Sequence, residues 1–162
     1  MSQLDHEAFL RRTFDVARRT RTHGNHPFGA ILVGPDGDVL IEAENGYLPD
    51  RDMTGHTERL LATQASKSLD ARLLARCTIY CSAEPCAMCA GAIYWAGIGR
   101  VVYALSERRL RAITGAHAEN PTLDLPCRSV FAAGQHATEV IGPLLEDEAA
   151  TLHDGIWSAA GE

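Results

Sequence analysis

Apolar positions recur at helical intervals in the first segment of the chain and gather into short, strand-like runs after it. Phe9, Leu10, Thr13, Phe14 and Ala17 line one side of a helix predicted over residues 5–21, with arginines on the other. His23-Gly24-Asn25-His26-Pro27 breaks that helix. Residues 28–33 read as a strand, Gly34-Pro35-Asp36-Gly37 as a turn, and residues 38–43 as the returning strand of a hairpin. A loop over 44–55 leads to a helix over 56–68. A strand follows at 78–82, then a helix at 86–96 rich in Ala and Gly for close packing, then a strand at 100–104. A fifth strand is expected near 138–141. Pro143 is expected to open a C-terminal helix carrying Leu144, Leu145, Glu148, Leu152 and Ile156. A hairpin followed by alternating helix and strand predicts an α/β fold, a mixed sheet with helices on both faces.

A chain of 162 residues suits one domain spanning 1–162, with a core large enough to fold alone. No apolar run approaches the roughly 20 residues that span a bilayer. The N-terminus has neither a basic nor an apolar signal region, so a cytoplasmic location is the expectation. The formal net charge of -6 argues against a protein that grips many phosphates. Arg11, Arg12, Arg18, Arg19 and Arg21 form one basic cluster, and Arg108, Arg109 and Arg111 another; both read as solvated helix faces.

Five cysteines without a signal argue against a disulfide framework. Cys77 and Cys81 fall in a strand-like stretch, which spreads them over more than about 10 Å at about 3.3 Å per residue. They read as core thiols rather than as half of a four-Cys cluster. Cys86 and Cys89 differ. They sit three apart at a helix start, project from one face, and follow His56-Thr57-Glu58, which opens another helix. One His and two Cys suit zinc, and three protein ligands leave a position open, as in catalytic rather than structural sites. The helix dipole and a metal both favour thiolates there. Two thiolates should weaken the acidification of a bound water, so a carboxylate is needed to take and return its proton. Glu58 fits that role, although alone it would read as a solvated acid in a first helical turn.

His56-Thr57-Glu58 with Pro85-Cys86-Ala87-Met88-Cys89 resembles the zinc-dependent cytidine deaminase-like superfamily over roughly residues 5–157. The resemblance implies a three-layer α/β/α sandwich around a mixed five-stranded sheet. It also implies hydrolytic loss of an exocyclic amine as ammonia, with zinc on His56, Cys86 and Cys89 and Glu58 as proton shuttle. Pro27-Phe28-Gly29-Ala30 and the ending Ile93-Tyr94-Trp95-Ala96 are similar to bacterial guanine deaminases; tRNA adenosine deaminases share Cys89-Ala90-Gly91-Ala92. The guanine branch implies a free purine-type base or related amino-heterocycle as substrate, with adenosine-to-inosine editing of tRNA as the alternative and a structural zinc module as a third.

By the same resemblance Phe28 stacks on the base, or is simply core. Asn45 hydrogen-bonds the base, or bonds its own loop backbone. An acid after the fourth strand is expected near His117, where the nearest is Glu119. His26, His117 and His136 could each line a pocket. Thr57 and Gly55 depart from the Ala and the Asp-Pro-Thr-Ala run usual in the two branches. The family implies a homodimer through the helices beside the metal, which Tyr94 and Trp95 would suit. The segment through Trp157 could reach the pocket of its own or a partner subunit.

Overall fold

In the computed structural model, which describes residues 3–157, the apolar runs become the middle of a five-stranded sheet. The termini that the single-domain expectation includes, 1–2 and 158–162, lie outside the described residues. The strands are β1 (Gly29–Val33), β2 (Val39–Glu44), β3 (Thr78–Ala83), β4 (Arg100–Leu105) and β5 (Glu139–Ile141), in the order β2-β1-β3-β4-β5. β1 is antiparallel to β2 and β3, while β3, β4 and β5 are parallel. The mixed sheet is the expected one.

Side-chain alternation divides the sheet into two cores. Ala30, Leu32, Ile79, Cys81, Val101 and Tyr103 face one core, with residues of α2 (Thr57–Ser68), α4 (Ala87–Ala96) and α6 (Cys127–Ala132). Ile31, Val33, Tyr80, Val102 and Ala104 face the other, with α1 (His6–Thr22), α5 (Glu107–Thr114) and α7 (Glu146–Ala150). Burial on both sides explains why these strands read as unbroken apolar runs. Cys77 and Cys81 are core thiols, as their strand setting predicts. The short α3 (Ala71–Leu74) and α6 were not anticipated, being too brief to display a periodicity.

α1 begins with Asp5 accepting the Ala8 N–H and buries Leu10, Thr13, Phe14, Val16, Ala17 and Thr20. Several of its arginines pair with acids: Arg11 with Glu148, Arg12 with Glu42, and Arg19 with Glu42 and Glu44. Arg108 and Arg111 meet Asp124, and Arg109 meets Asp147. Both clusters are therefore ion-paired faces.

The C-terminal helix is much shorter than its leucine spacing predicts. Leu144 donates its N–H to the Tyr103 carbonyl at 3.2 Å, prolonging contact with β4 instead of entering a helix. Leu145 then takes a left-handed φ of 54°, so α7 starts only at Glu146. A 3₁₀ turn, Thr151–His153, follows, and Gly155 turns the chain with a φ of 69°. His153 lies 2% exposed there, and its Nδ1 accepts from Trp157 Nε1 at 3.0 Å. No helix among the described residues is long and apolar enough to cross a membrane.

Two stability tests follow from this packing. A Cβ on Gly29 would stand 2.5 Å from the Thr13 carbonyl oxygen and 2.7 Å from the Ala17 nitrogen, so β1 passes under α1 only as glycine. Gly29→Ala is expected to cost about 1–3 kcal/mol in urea unfolding; an unchanged midpoint would show that α1 can shift at no cost. Burial, and after it the charge of His26, push His153 down to about 4 from the ordinary 6.5. Between those values the unfolded chain binds the extra proton, so stability is complete above pH 6.5 and falls as pH drops towards 4, by up to about 3 kcal/mol. His153→Gln, compared with the parent at pH 7 and pH 4.5, should lose less stability over that interval; equal losses would refute the assignment.

Candidate active site

The site forms where two helices begin. His56 is the N-cap of α2 and Cys86 the N-cap of α4, so each reaches forward from a helix start, and Cys89 lies in the first turn of α4. Buried Leu61 and Ala65 of α2 share a core with Ala90 and Ile93 of α4, holding the two starts together. Donor atoms of His56, Cys86 and Cys89 all lie within 4.8 Å of one another, and Cys86 Sγ is 3.6 Å from His56 Nδ1. Among the described residues this is the one cluster of His, Cys, Asp and Glu spaced to hold a metal, and Glu58 stays outside it. Cys77 and Cys81 do not join.

The donor chemistry fits zinc: two sulfurs and an imidazole, neutralising a divalent cation once both thiols ionise. Hydrogen bonding from Cys89, and after it from His56, holds the Cys86 thiol well below its ordinary value. The Cys89 thiol is raised in turn by its bond to Cys86. His56 is raised by its bond to Cys86.

Local backbone explains the two departures in the first motif. Thr57 donates its hydroxyl to the Ala43 carbonyl, tying the start of α2 to β2, a bond alanine could not make. Gly55 gives its carbonyl to the Gly46 N–H at 2.8 Å, and a Cβ on Gly55 would stand 2.7 Å from the Gly46 oxygen. These substitutions are thus accounted for by the backbone that carries the motif.

Glu58 is 5% exposed in the first turn of α2, and burial pushes its carboxyl up to about 7. It lines a cavity of about 270 Å³ together with His56 and Cys86. Phe28, Asn45 and Glu119 line the same cavity, while the buried Cys89 is not among its lining residues, nor is His117, which meets His26 edge-on. Asn45 Oδ1 accepts its own loop's Tyr47 N–H at 3.0 Å, leaving the amide nitrogen without a partner among the described residues. Glu119 Oε2 meets His26 Nε2 at 2.7 Å. His26 also lines the cavity, whereas His136 stacks on Tyr94 outside it, ring centroids 4.1 Å apart.

Sequence reasoning missed two acids. Glu84, just before Pro85-Cys86, is 7% exposed and accepts the Glu107 N–H at 2.8 Å and the Cys127 N–H at 3.0 Å. These are the first residues of α5 and α6, so one buried carboxylate answers two helix starts. Glu107 is 6% exposed and lines the cavity; burial, and after it the charges of Cys86 and Glu84, push it up to about 8. The signal for Glu84 was its place in the Cys motif. For Glu107 it was Ser106, whose side chain caps α5 and puts the next residue at the helix start.

Residues 3–105 match the family model described as the cytidine and deoxycytidylate deaminase zinc-binding region. A protein named probable cytosine deaminase from Schizosaccharomyces pombe is 41% identical over 150 residues, 93% of this chain and 91% of its own length. A guanine deaminase of Bacillus subtilis is 41% identical over 102 residues, 62% of this chain and 65% of its own. The solved guanine deaminase of Nitrosomonas europaea shares the fold, with a TM-score of 0.73 over 94% of this chain and 85% of that one at 24% identity. With its His, Cys and Cys donors gathered at two helix starts, the chain belongs to the cytidine and deoxycytidylate deaminase family of zinc-binding hydrolytic deaminases.

Proposed function

We propose that this deaminase removes the exocyclic amine of a free purine-type base or related amino-heterocycle, guanine or similar, and releases ammonia. The observation that carries the reading is the make-up of the cavity wall. Asp52, Glu58, Glu84, Glu107 and Glu119 line it, with no Lys or Arg among the lining residues. A nucleotide brings phosphates, for which such a wall offers no cation, whereas a free base brings N–H donors that carboxyl oxygens accept. The small volume and the aromatic lining from Phe28, Tyr47 and His26 suit one flat heterocycle. Editing of adenosine in tRNA is disfavoured on the same grounds. A pyrimidine is the second reading, supported by similarity to the fission-yeast protein over 93% of the chain.

In this reading His56, Cys86 and Cys89 hold zinc. When bound, zinc supplies the Lewis acidity that makes water nucleophilic near neutral pH. Glu58 moves the protons: its carboxylate takes one as water adds to the ring carbon and returns one to the exocyclic nitrogen as it leaves. A buried carboxyl raised to about 7 is suited to both halves of that exchange. Phe28 stacks on the base, the free amide nitrogen of Asn45 donates to a ring acceptor, and Glu119 accepts a ring or amino N–H. Pairing into a homodimer through α4 is supported by Trp95, which is 86% exposed. Tyr94 is already engaged within the chain, its hydroxyl accepting the Gln135 N–H.

Zinc-loaded protein is to be assayed for ammonia against guanine, other amino-purines, pterins, triazines and cytosine. Guanine or a close relative should be the preferred substrate; silence across the panel would sink the reading, and preference for cytosine would establish the second. Glu58→Gln should retain zinc and fold while turnover drops by about 10²–10⁴. Retained turnover would remove Glu58 from the chemistry. Chelation should abolish ammonia release reversibly while far-ultraviolet circular dichroism persists, because the ligands sit at helix starts beside a core that does not need them. Loss of helix signal would make the metal structural.

A further inference from the structure

Glu119 belongs to the irregular stretch between α5 and α6, and its side chain is 44% exposed, so nothing in its own segment fixes a rotamer. What fixes it comes from elsewhere in the chain. His26, 93 residues away, meets Glu119 Oε2 at 2.7 Å and leaves Oε1 free. The His26 ring is held in a stack: Trp157 lies on it at 4.4 Å between centroids with 27° between planes, and Tyr47 is near-parallel at 6.3 Å. His117 meets it edge-on at 6.3 Å. Trp157 is itself anchored by its Nε1–H bond to the buried His153. His26 Nδ1 is buried without a partner among the described residues. A histidine serving only the fold would be expected to satisfy both nitrogens; this ring leaves one unmet and spends its single bond on a cavity carboxylate.

We propose that His26 is a positioning residue for Glu119 and that Trp157 holds His26 in place, so that this stack sets how firmly the cavity grips the N–H-bearing edge of a base. The inference rests on the reading that Glu119 meets the substrate. Fixing one carboxylate oxygen aims the other, and a base presenting a ring N–H or amino group at that point binds without ordering a loop side chain first. The C-terminal segment thus acts on substrate choice without touching the metal.

The test is a double-mutant cycle on zinc-loaded protein, with kcat and KM measured for guanine and for cytosine. Glu119→Gln and His26→Leu should each lower kcat/KM for the better base by roughly 10- to 100-fold, the range for loss of a charge-assisted hydrogen bond, mainly through KM. The double variant should be no worse than either alone. His26→Gln, which keeps a donor near the Nε2 position, should recover part of the loss. Trp157→Ala should move KM the same way and Trp157→Phe should recover part of that. Independently of turnover, ¹⁵N spectra of the histidine rings should show a hydrogen-bonded His26 Nε2–H that disappears in Glu119→Ala, which removes every acceptor oxygen. Multiplying losses in the double variant, or a normal KM in His26→Leu beside an impaired Glu119→Gln, would overturn the inference alone. If Glu119→Gln impairs no base while the ring signal still reports the pair, the substrate contact itself is wrong and the proposal falls with it.

Discussion

Everything chemical in this molecule depends on α2 and α4 beginning side by side. Small residues let them approach: Ala65 on one helix, Ala90 on the other, with Leu61 and Ile93 in the same core. His56 and Cys86 are the N-caps, so the packing of the helices is also the spacing of the donors. The remaining ties serve that junction. Thr57 fastens α2 to β2 through the Ala43 carbonyl, and Gly46 and Gly55 close the preceding loop backbone to backbone. On the other side, Glu84 anchors the approach to α4 by accepting from the first N–H groups of α5 and α6. The donors are therefore placed by rigid elements, as a site that must hold a metal and still leave a position open requires.

That geometry sets the electrostatics. Glu58 and Glu107 are pushed up to about 7 and about 8, first by burial and then by nearby anionic groups, Cys86 among them. A divalent cation at the three donors is the natural counter-charge to this cluster. Carboxyls that titrate near neutrality, set in an enclosed wall without fixed cations, make a surface that can accept and return protons rather than one that pairs permanently with a charged ligand.

The parts legible in the sequence are those that act locally. Apolar runs gave the strands, and His-x-Glu with Pro-Cys-x-x-Cys gave the donors, since each motif lies within a single helical turn. Phe28, Asn45 and Glu119 were reached through resemblance, and they line the cavity. What the sequence hid is what depends on distance. Glu84 was passed over because its partners, Glu107 and Cys127, lie 23 and 43 residues away. The Trp157–His26–Glu119 contacts join three segments that carry no common pattern. The C-terminal helix is shorter than its leucine spacing predicts because leucines at helical spacing also suit a chain that lies along β4, and the Leu144 bond to Tyr103 with the left-handed Leu145 distinguishes the two. Thr57 and Gly55 depart from the usual motif residues, and their contacts are with backbone.

The division of labour between elements and loops explains how one zinc site can serve different bases. His56, Glu58, Cys86 and Cys89 sit on the first turns of packed helices, where a shift of position would break the core beneath them. Most of the groups that meet the rest of the cavity come from the break after α1, the loop after β2 and the stretch between α5 and α6, with Trp157 of the C-terminal turn stacked on His26 behind them. Loops of this kind tolerate substitution because little core depends on them. Reaction and substrate are thus carried by separate parts of the chain, and relatives are named for a pyrimidine in one case and a purine in another.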